Sequence, residues 1–315
     1  MPGATGGHGG GGRAAEPLVL RNPRLVQLRR LVADRRARRE AGRYVIEGPR
    51  LLAEALDAGA PLREVFWDVA ARDRHPELRE RLSGAGLPPT WVAAGALDRV
   101  GDAHHGQGVT AVAEAPSLAD DAPPVSPAGV GDDASAGPSP GALVLVLVDV
   151  ADPGNVGTVL RAADAAAADI VVLAGACADP LSPKVVRAAA GALFRVRVVE
   201  THDALALLRA WGLPAVGLVV RDGEPLAGAA LAGPAALLVG GEARGLPADL
   251  VAGLDDRRSI PMPGRAESLN VAMAATIALF EAVRQREAAG SQGAAPVVTG
   301  TDLAGPGVVG QGDRL

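Results

Sequence analysis

Val144-Leu145-Val146-Leu147-Val148 is an unbroken apolar run. It continues through Asp149 and Val150 into Ala151-Asp152-Pro153-Gly154-Asn155-Val156-Gly157-Thr158-Val159-Leu160-Arg161. Such a run reads as a strand buried on both faces, as in a parallel sheet. Pro153-Gly154 breaks the strand, and Asn155 stands where a helix would begin. Val156, Val159, Leu160 and Ala163 fall on one face of that helix. In open α/β sheets, ligands bind outside the carboxyl ends of the strands. Asn155 and Arg161 are therefore the first polar residues to inspect.

The chain has 315 residues, 48% hydrophobic and 2% aromatic, so its cores are built from Ala, Val and Leu. That length accommodates two domains. A net charge of -5 argues, taken alone, against a nucleic-acid binder. The charge is uneven, however: residues 21–50 hold ten arginines against Asp34, Glu40 and Glu47. A basic block inside an acidic protein is a local footprint that matters more than the isoelectric point. Cys177 is the only cysteine, which excludes an intramolecular disulfide and a cysteine-cluster metal site. His8, His75, His104, His105 and His202 show no metal-ligand spacing, so no metal is expected. No apolar run approaches the roughly 20 residues of a membrane span. The glycine-rich start, residues 1–12, lacks the hydrophobic segment of a signal peptide. A soluble cytoplasmic protein with no membrane partner is expected.

Residues 1–17 read as a disordered tail. Asn22-Pro23 makes a helix start, with Leu25, Leu28, Leu31 and Val32 as the apolar face. Arg29, Arg30, Arg35, Arg36, Arg38 and Arg39 crowd the rest, either as a solvated face or as a phosphate-contacting surface. Strands at Tyr44–Ile46, Val65–Trp67, Trp91–Val92 and 108–113 alternate with helices after Pro49, from Pro76 and at Leu97–Val100. This is a small α/β domain over residues 18–114. Residues 115–141, rich in Pro, Ala, Gly and Asp, read as a disordered acidic linker that lets the two domains reorient. The second domain, residues 142–287, holds strands at Ile170–Leu173, Val196–Val199, Val216–Val220, Ala236–Val239 and Arg258–Pro261. It also holds a helix from Ser182-Pro183 and a long one from about Ser268 to Arg286. Residues 288–315 read as a second disordered tail.

Three polar patches follow strands of the second domain. The first is Asp152–Gly157 with Arg161. Read alone, Asn155 caps a helix and Arg161 pairs with Asp164. The second is Gly240-Gly241-Glu242-Ala243-Arg244-Gly245-Leu246-Pro247. It is neither a P-loop nor a dinucleotide fingerprint, and alone it reads as a tight turn. Its glycines would let the backbone approach a ligand closely. The third is Ile260-Pro261-Met262-Pro263-Gly264-Arg265-Ala266-Glu267-Ser268-Leu269-Asn270-Val271, in which Ser268 or Asn270 would cap the last helix.

In order and spacing these patches resemble the three motifs of the SpoU family of RNA 2′-O-ribose methyltransferases, TrmH-like members of the SPOUT superfamily. The segment Ser182–Ala192 also resembles a family segment, with Ala189 where the family usually carries serine. Tyr44-Val45-Ile46-Glu47-Gly48 and Gln107-Gly108-Val109 resemble landmarks of the family's N-terminal substrate-binding domain, related to the L30e fold. The likeness spans roughly residues 20–287.

The resemblance implies an α/β fold. A small L30e-like domain would precede a C-terminal methyltransferase domain threaded into a deep trefoil knot. It implies S-adenosylmethionine as methyl donor, with Gly240, Ile260 and Leu269 contacting it, and no metal. Arg161 would be catalytic, with Asn155, Glu242, Ser268 and Asn270 arranging the site. It further implies a homodimer formed through the catalytic domain. Arg35, Arg36, Arg38 and Arg39 would then hold RNA phosphates. The substrate expected is structured RNA, 23S rRNA ahead of tRNA. Within the class, a resistance methylation of the ribosome is a sub-case. From another class stands a non-catalytic RNA-binding or ribosome-assembly protein on the same fold. All five polar site residues are present, whereas a degenerate relative would have lost some. A nicotinamide dehydrogenase is excluded for want of a GxGxxG turn.

Overall fold

Asn22 opens the first helix, its side-chain oxygen accepting from the Arg24 backbone N–H at 3.0 Å with Pro23 in the first turn. The computed structural model describes residues 16–102, 107–119, 123, 141–242 and 244–290. The expected tails (all but residues 16–17 and 288–290), most of the expected linker, His8, His104 and His105 lie outside the described residues.

Helix α1 (Pro23–Ala33) buries Leu25, Leu28 and Leu31. The basic stretch is not one helix. Asp34 is extended, ends α1 and caps α2 (Arg35–Ala41) by accepting from the Arg36 N–H at 2.8 Å. Gly42, left-handed at φ 59°, turns the chain into β1 (Arg43–Glu47). There follow α3 (Pro49–Asp57), β2 (Leu62–Asp68), α4 (Pro76–Gly84), β3 (Thr90–Val92), α5 (Ala96–Val100) and β4 (Val109–Glu114). The strands form a sheet of order β1-β4-β2-β3, with β4 antiparallel to β1 and β2, and β3 parallel to β2.

The second sheet is built from β5 (Leu143–Val148) onward. Its elements are α6 (Pro153–Ala165), β6 (Ile170–Ala174), α7 (Pro183–Ala188), β7 (Arg197–Thr201), α8 (Ala204–Ala210), β8 (Ala215–Leu218), β9 (Glu224–Pro225), β10 (Ala235–Gly240), α9 (Ala248–Ala252), β11 (Asp256–Ser259) and α10 (Val271–Ala288). The order is β7-β6-β5-β10-β8-β11-β9, and every pairing is parallel. A parallel sheet needs cover on both faces. Alternation along β5 supplies it: Leu143, Leu145 and Leu147 pack with α6, α7 and α10, while Val144, Val146 and Val148 pack with Leu208 and Trp211 on the other side. All six β5 residues are buried, as the opening run demands.

Four details differ from the sequence expectation. The last strand is Asp256–Ser259, which frees Ile260 and Pro261 for the loop beyond it. The long helix starts at Val271, with Asn270 as its cap. Helices α8 and α9 and strand β9 are absent from the sequence expectation. Around α8 the Ala-Leu alternation offers no polar face to set a helical period, although Asp203 caps it by accepting from the Ala206 N–H at 2.9 Å.

The fourth difference concerns how the two sheets are joined. Instead of two units free to reorient, one hydrophobic cluster runs from Tyr44, Ile46 and Trp67 through Val185 and Val186 to Leu145 and Leu147. Ion pairs reinforce the join. Arg38 donates to Asp179 Oδ2 from Nη2 at 2.6 Å and from Nε at 3.0 Å, and to the Leu31 carbonyl at 2.7 Å. Arg35 pairs with Glu200 at 2.8 Å, and Arg39 pairs with the same carboxylate. Among the described residues no helix is long and apolar enough to cross a membrane.

Candidate active site

The loops after β5 and β10 are neighbours because those strands are hydrogen-bonded along their length. Each loop has a stated reason for its shape. After β5, Asp152 caps α6 by accepting from the Asn155 N–H at 2.8 Å. Asn155 is therefore not the cap expected from sequence. It lies inside the first turn, and its side chain is released for other partners. After β10 the chain doubles back on itself: Gly241 and Gly245 bridge, with the Gly245 N–H donating to the Gly241 carbonyl at 2.9 Å. A Cβ on Gly240 would sit 2.0 Å from the Gly245 carbonyl carbon, so only glycine permits this fold-back.

The third loop, after β11, ends at Asn270, which caps α10 by accepting from the Ala272 N–H at 2.9 Å. Its amide nitrogen faces the other two loops. Asn270 Nδ2 donates to Glu242 Oε1 at 2.8 Å and to Asn155 Oδ1 at 3.1 Å. Asn155 Nδ2 donates to the same Glu242 oxygen at 2.5 Å. Three patches separated by as many as 115 positions thus meet in one hydrogen-bonded cluster. Two amides fixed on one carboxylate oxygen hold that carboxylate in a set orientation.

Beside the cluster lies a cavity of about 290 Å³. Gly240, Ile260, Leu269, Glu242, Ser268 and Asn270 all line it, so the three expected cofactor contacts share one wall set. Its volume sits near the lower end for small-molecule sites, roughly 300–1,000 Å³. The apolar part comes from Val239, Ile260, Met262 and Ala274. A further lining stretch, Leu218-Val219-Val220 at the end of β8, was missed from sequence. It is an apolar strand end with no polar or glycine signal, and only the sheet order places it between the second and third loops. An apolar slot with a polar rim suits a nucleoside-like ligand such as S-adenosylmethionine.

Arg161 lies elsewhere. It is exposed on α6 and lines a separate cavity with Arg50, Gln107 and Arg187. The expected pair with Asp164 is not formed: that carboxylate is taken by Arg195, Nη2 to Oδ2 at 2.8 Å. Asp164 and Glu54 together hold the Arg195 guanidinium above its ordinary pKa, the hydrogen bond to Asp164 first among the causes. Ala189, at the serine position of the resembling segment, is fully buried.

Of the four arginines expected to hold RNA, Arg38 is a correction. Its side chain is 5% exposed and is consumed by Asp179 and two backbone carbonyls, so it is a structural tie. Arg35 and Arg39 are half-exposed and paired with Glu200. Arg36 is exposed and pairs with Glu40. Among the described residues no group of three or more His, Cys, Asp or Glu converges as metal ligands would.

The profile of the SpoU rRNA Methylase family matches residues 142–280, and that of the MRM3-like substrate binding domain matches residues 22–111. A 23S rRNA (uridine(2479)-2'-O)-methyltransferase of Streptomyces viridochromogenes is 34% identical over 87% of this chain and 93% of its own length. A 23S rRNA (guanosine-2'-O-)-methyltransferase, RlmB, of Xanthomonas axonopodis pv. citri is 35% identical over 76% of this chain and 96% of its own. Among solved structures, the SpoU methyltransferase AviRb from Streptomyces viridochromogenes in complex with AdoMet superposes with a TM-score of 0.71. It is 31% identical and covers 85% of this chain and 100% of that one. With relatives of this identity matched along nearly their whole length, the chain belongs to the SpoU rRNA methylase family.

Proposed function

We propose that the protein is an S-adenosylmethionine-dependent methyltransferase acting on a ribose 2′-hydroxyl of structured RNA, with 23S rRNA as substrate. The observation that carries this reading is the meeting of Asn155, Glu242 and Asn270 at the rim of the cavity lined by Gly240, Ile260 and Leu269. The relatives named for 23S rRNA 2'-O-methylation and the AdoMet-bound structure support the substrate and the donor.

When bound, the sulfonium donor supplies an already activated methyl group, and no metal is required for that transfer. The work left to the chain is to place the nucleophile and manage its charge. The 2′-oxygen takes the methyl carbon with the neutral thioether as leaving group and gives up its proton to water, and charge develops on the oxygen as that proton leaves. A guanidinium holds its protons across the working range. Arg161 therefore serves to stabilise the 2′-oxygen and the adjacent phosphate instead of removing the proton. The Asn155–Glu242–Asn270 cluster fixes the three loops and presents polar groups to the ribose, with Ser268 beside it.

The finer architecture is also proposed. The chain after β8 is threaded as a trefoil knot, in keeping with β10 inserting between β5 and β8. Met273, Ile277 and Phe280 lie exposed along α10 and form the apolar face of a homodimer contact. Arg35, Arg36 and Arg39 face RNA, and the protein works in the cytoplasm, where that RNA is made.

The test is transfer of a radiolabelled methyl group to unmodified 23S rRNA and tRNA transcripts, followed by nuclease mapping of the label. Label on a ribose 2′-oxygen of the rRNA is the expected result, with loss of most turnover in Arg161→Ala. Label on tRNA alone, on a base, or on neither RNA contradicts the reading.

A further inference from the structure

The position of Arg161 has a consequence beyond the cofactor cavity. The space it opens into is larger, about 450 Å³, and lies between the two sheet units. Arg50, Glu54 and Gln107 line it from the first unit, and Arg161, Arg187 and Ala190 from the second.

The cleft is built, and its walls are pinned. Arg187 reaches from α7 to the buried carboxylate of Glu47 and to Asp102 at 2.6 Å, while Glu47 also accepts from the Asp102 N–H at 2.8 Å. Two of its non-glycine residues, Gln107 and Ala190, hold left-handed backbone at φ 51° and 48°. Such conformations cost energy and concentrate at functional sites. The decisive feature is charge. The arginines of α2 are engaged by Asp179, Glu200 and Glu40. By contrast, Arg50 and Arg161 are exposed, and neither makes an ion pair with a described residue. Helix α3 adds to the positive potential, since it begins beside Arg50 at Gly48, which has no side chain to cap it.

We infer that this cleft seats a phosphodiester of the substrate RNA adjoining the reacting ribose, gripped by Arg50 from one unit and Arg161 from the other. The inference rests on the proposed role of Arg161. It makes Arg50 a positioning residue, and it gives the first unit a direct part in presenting the ribose. A phosphate held from both sides fixes the attached sugar, and α6 carries both Arg161 and Asn155, whose amide bonds Glu242 at the cofactor cavity. The Arg187–Glu47–Asp102 tie holds together the two walls that carry Arg50 and Arg161.

The test uses the full-length protein, an unmodified 23S rRNA transcript as probe, and Arg50→Ala and Arg50→Lys. Binding is followed over a salt series by filter retention, and methyl transfer gives KM and kcat. In Arg50→Ala, RNA affinity is expected to fall by between about ten- and a hundredfold, as for loss of a charged hydrogen bond. The slope of log affinity on log salt should fall by about one. KM should rise accordingly while kcat changes far less, and affinity for S-adenosylmethionine should match wild type. Arg50→Lys, which keeps the charge without the fork, should restore the salt slope and part of the affinity. Unchanged affinity and slope in Arg50→Ala overturn the inference, as does a fall in kcat with KM unmoved. If wild type binds the transcript without methylating it, the proposed function fails, and the binding series still decides the cleft. Failure of wild type to bind the transcript overturns both.

Discussion

Asn270 does two jobs with one side chain. Its oxygen caps α10, and its nitrogen ties Glu242 to Asn155. Substitution by aspartate separates them. Aspartate caps a helix as well as asparagine does, but it cannot donate, and it sets a second carboxylate against Glu242. Asn270→Asp is therefore expected to keep the helix cap and most thermal stability while losing most methyl transfer. Circular dichroism and a transfer assay check the two halves. Activity at the wild-type level would reduce Asn270 to a cap. The same residue scale shows where sequence reading stops. Asp152 and Asn155 are both capping types three positions apart, so composition cannot say which one caps and which is released to the site. Arg38 is one arginine in a run of them. What buries it is Asp179, 141 positions away, which no local pattern reveals.

At the scale of elements, α6 and α7 meet at Gly157. A Cβ there would stand 2.3 Å from the Ala188 Cβ and 2.9 Å from both the Ala189 nitrogen and the Val185 carbonyl oxygen. The helices approach as closely as backbone allows, and this fixes the direction in which α6 carries Asn155 and Arg161. Gly157→Ala is expected to destabilise the fold by about 1–3 kcal/mol through overpacking, read as a lower midpoint in urea with an unchanged slope. A midpoint equal to wild type would show that the helices separate without cost. Most elements were legible in the sequence because their signals are local. The β5 run, Asn22-Pro23, Ser182-Pro183 and the glycines after β10 each carry their own physical reason. α10 is different. It buries Val271, Ala275, Ala278 and Leu279, the face that its period marks, yet it also exposes Met273, Ile277 and Phe280, an apolar outer side for which the period gives no reason.

For the whole molecule, the order β7-β6-β5-β10-β8-β11-β9 decides which loops become neighbours. The sequence places a motif after β5, β10 and β11, but the pairing of β10 with β5 is a long-range event invisible in any window. The same holds for the join between the sheets. A Pro-rich stretch suggests freedom, whereas the buried cluster from Tyr44 to Leu147 and the Arg38–Asp179 and Arg187–Glu47 pairs tie the two units into one body. Such a join suits an enzyme that must hold a bulky RNA from one unit while transferring a methyl group in the other.

Methyl transfer by this chain requires that loops after three separate strands enclose one methyl-donor pocket. Isothermal titration calorimetry of S-adenosylmethionine into the folded, purified protein tests it most directly. The expected result is saturable binding at one site per chain, competed by S-adenosylhomocysteine and abolished in Gly240→Val, whose side chain would fill the fold-back between Gly240 and Gly245. Absence of binding to the wild-type protein, or undiminished binding by a folded Gly240→Val variant, would contradict it.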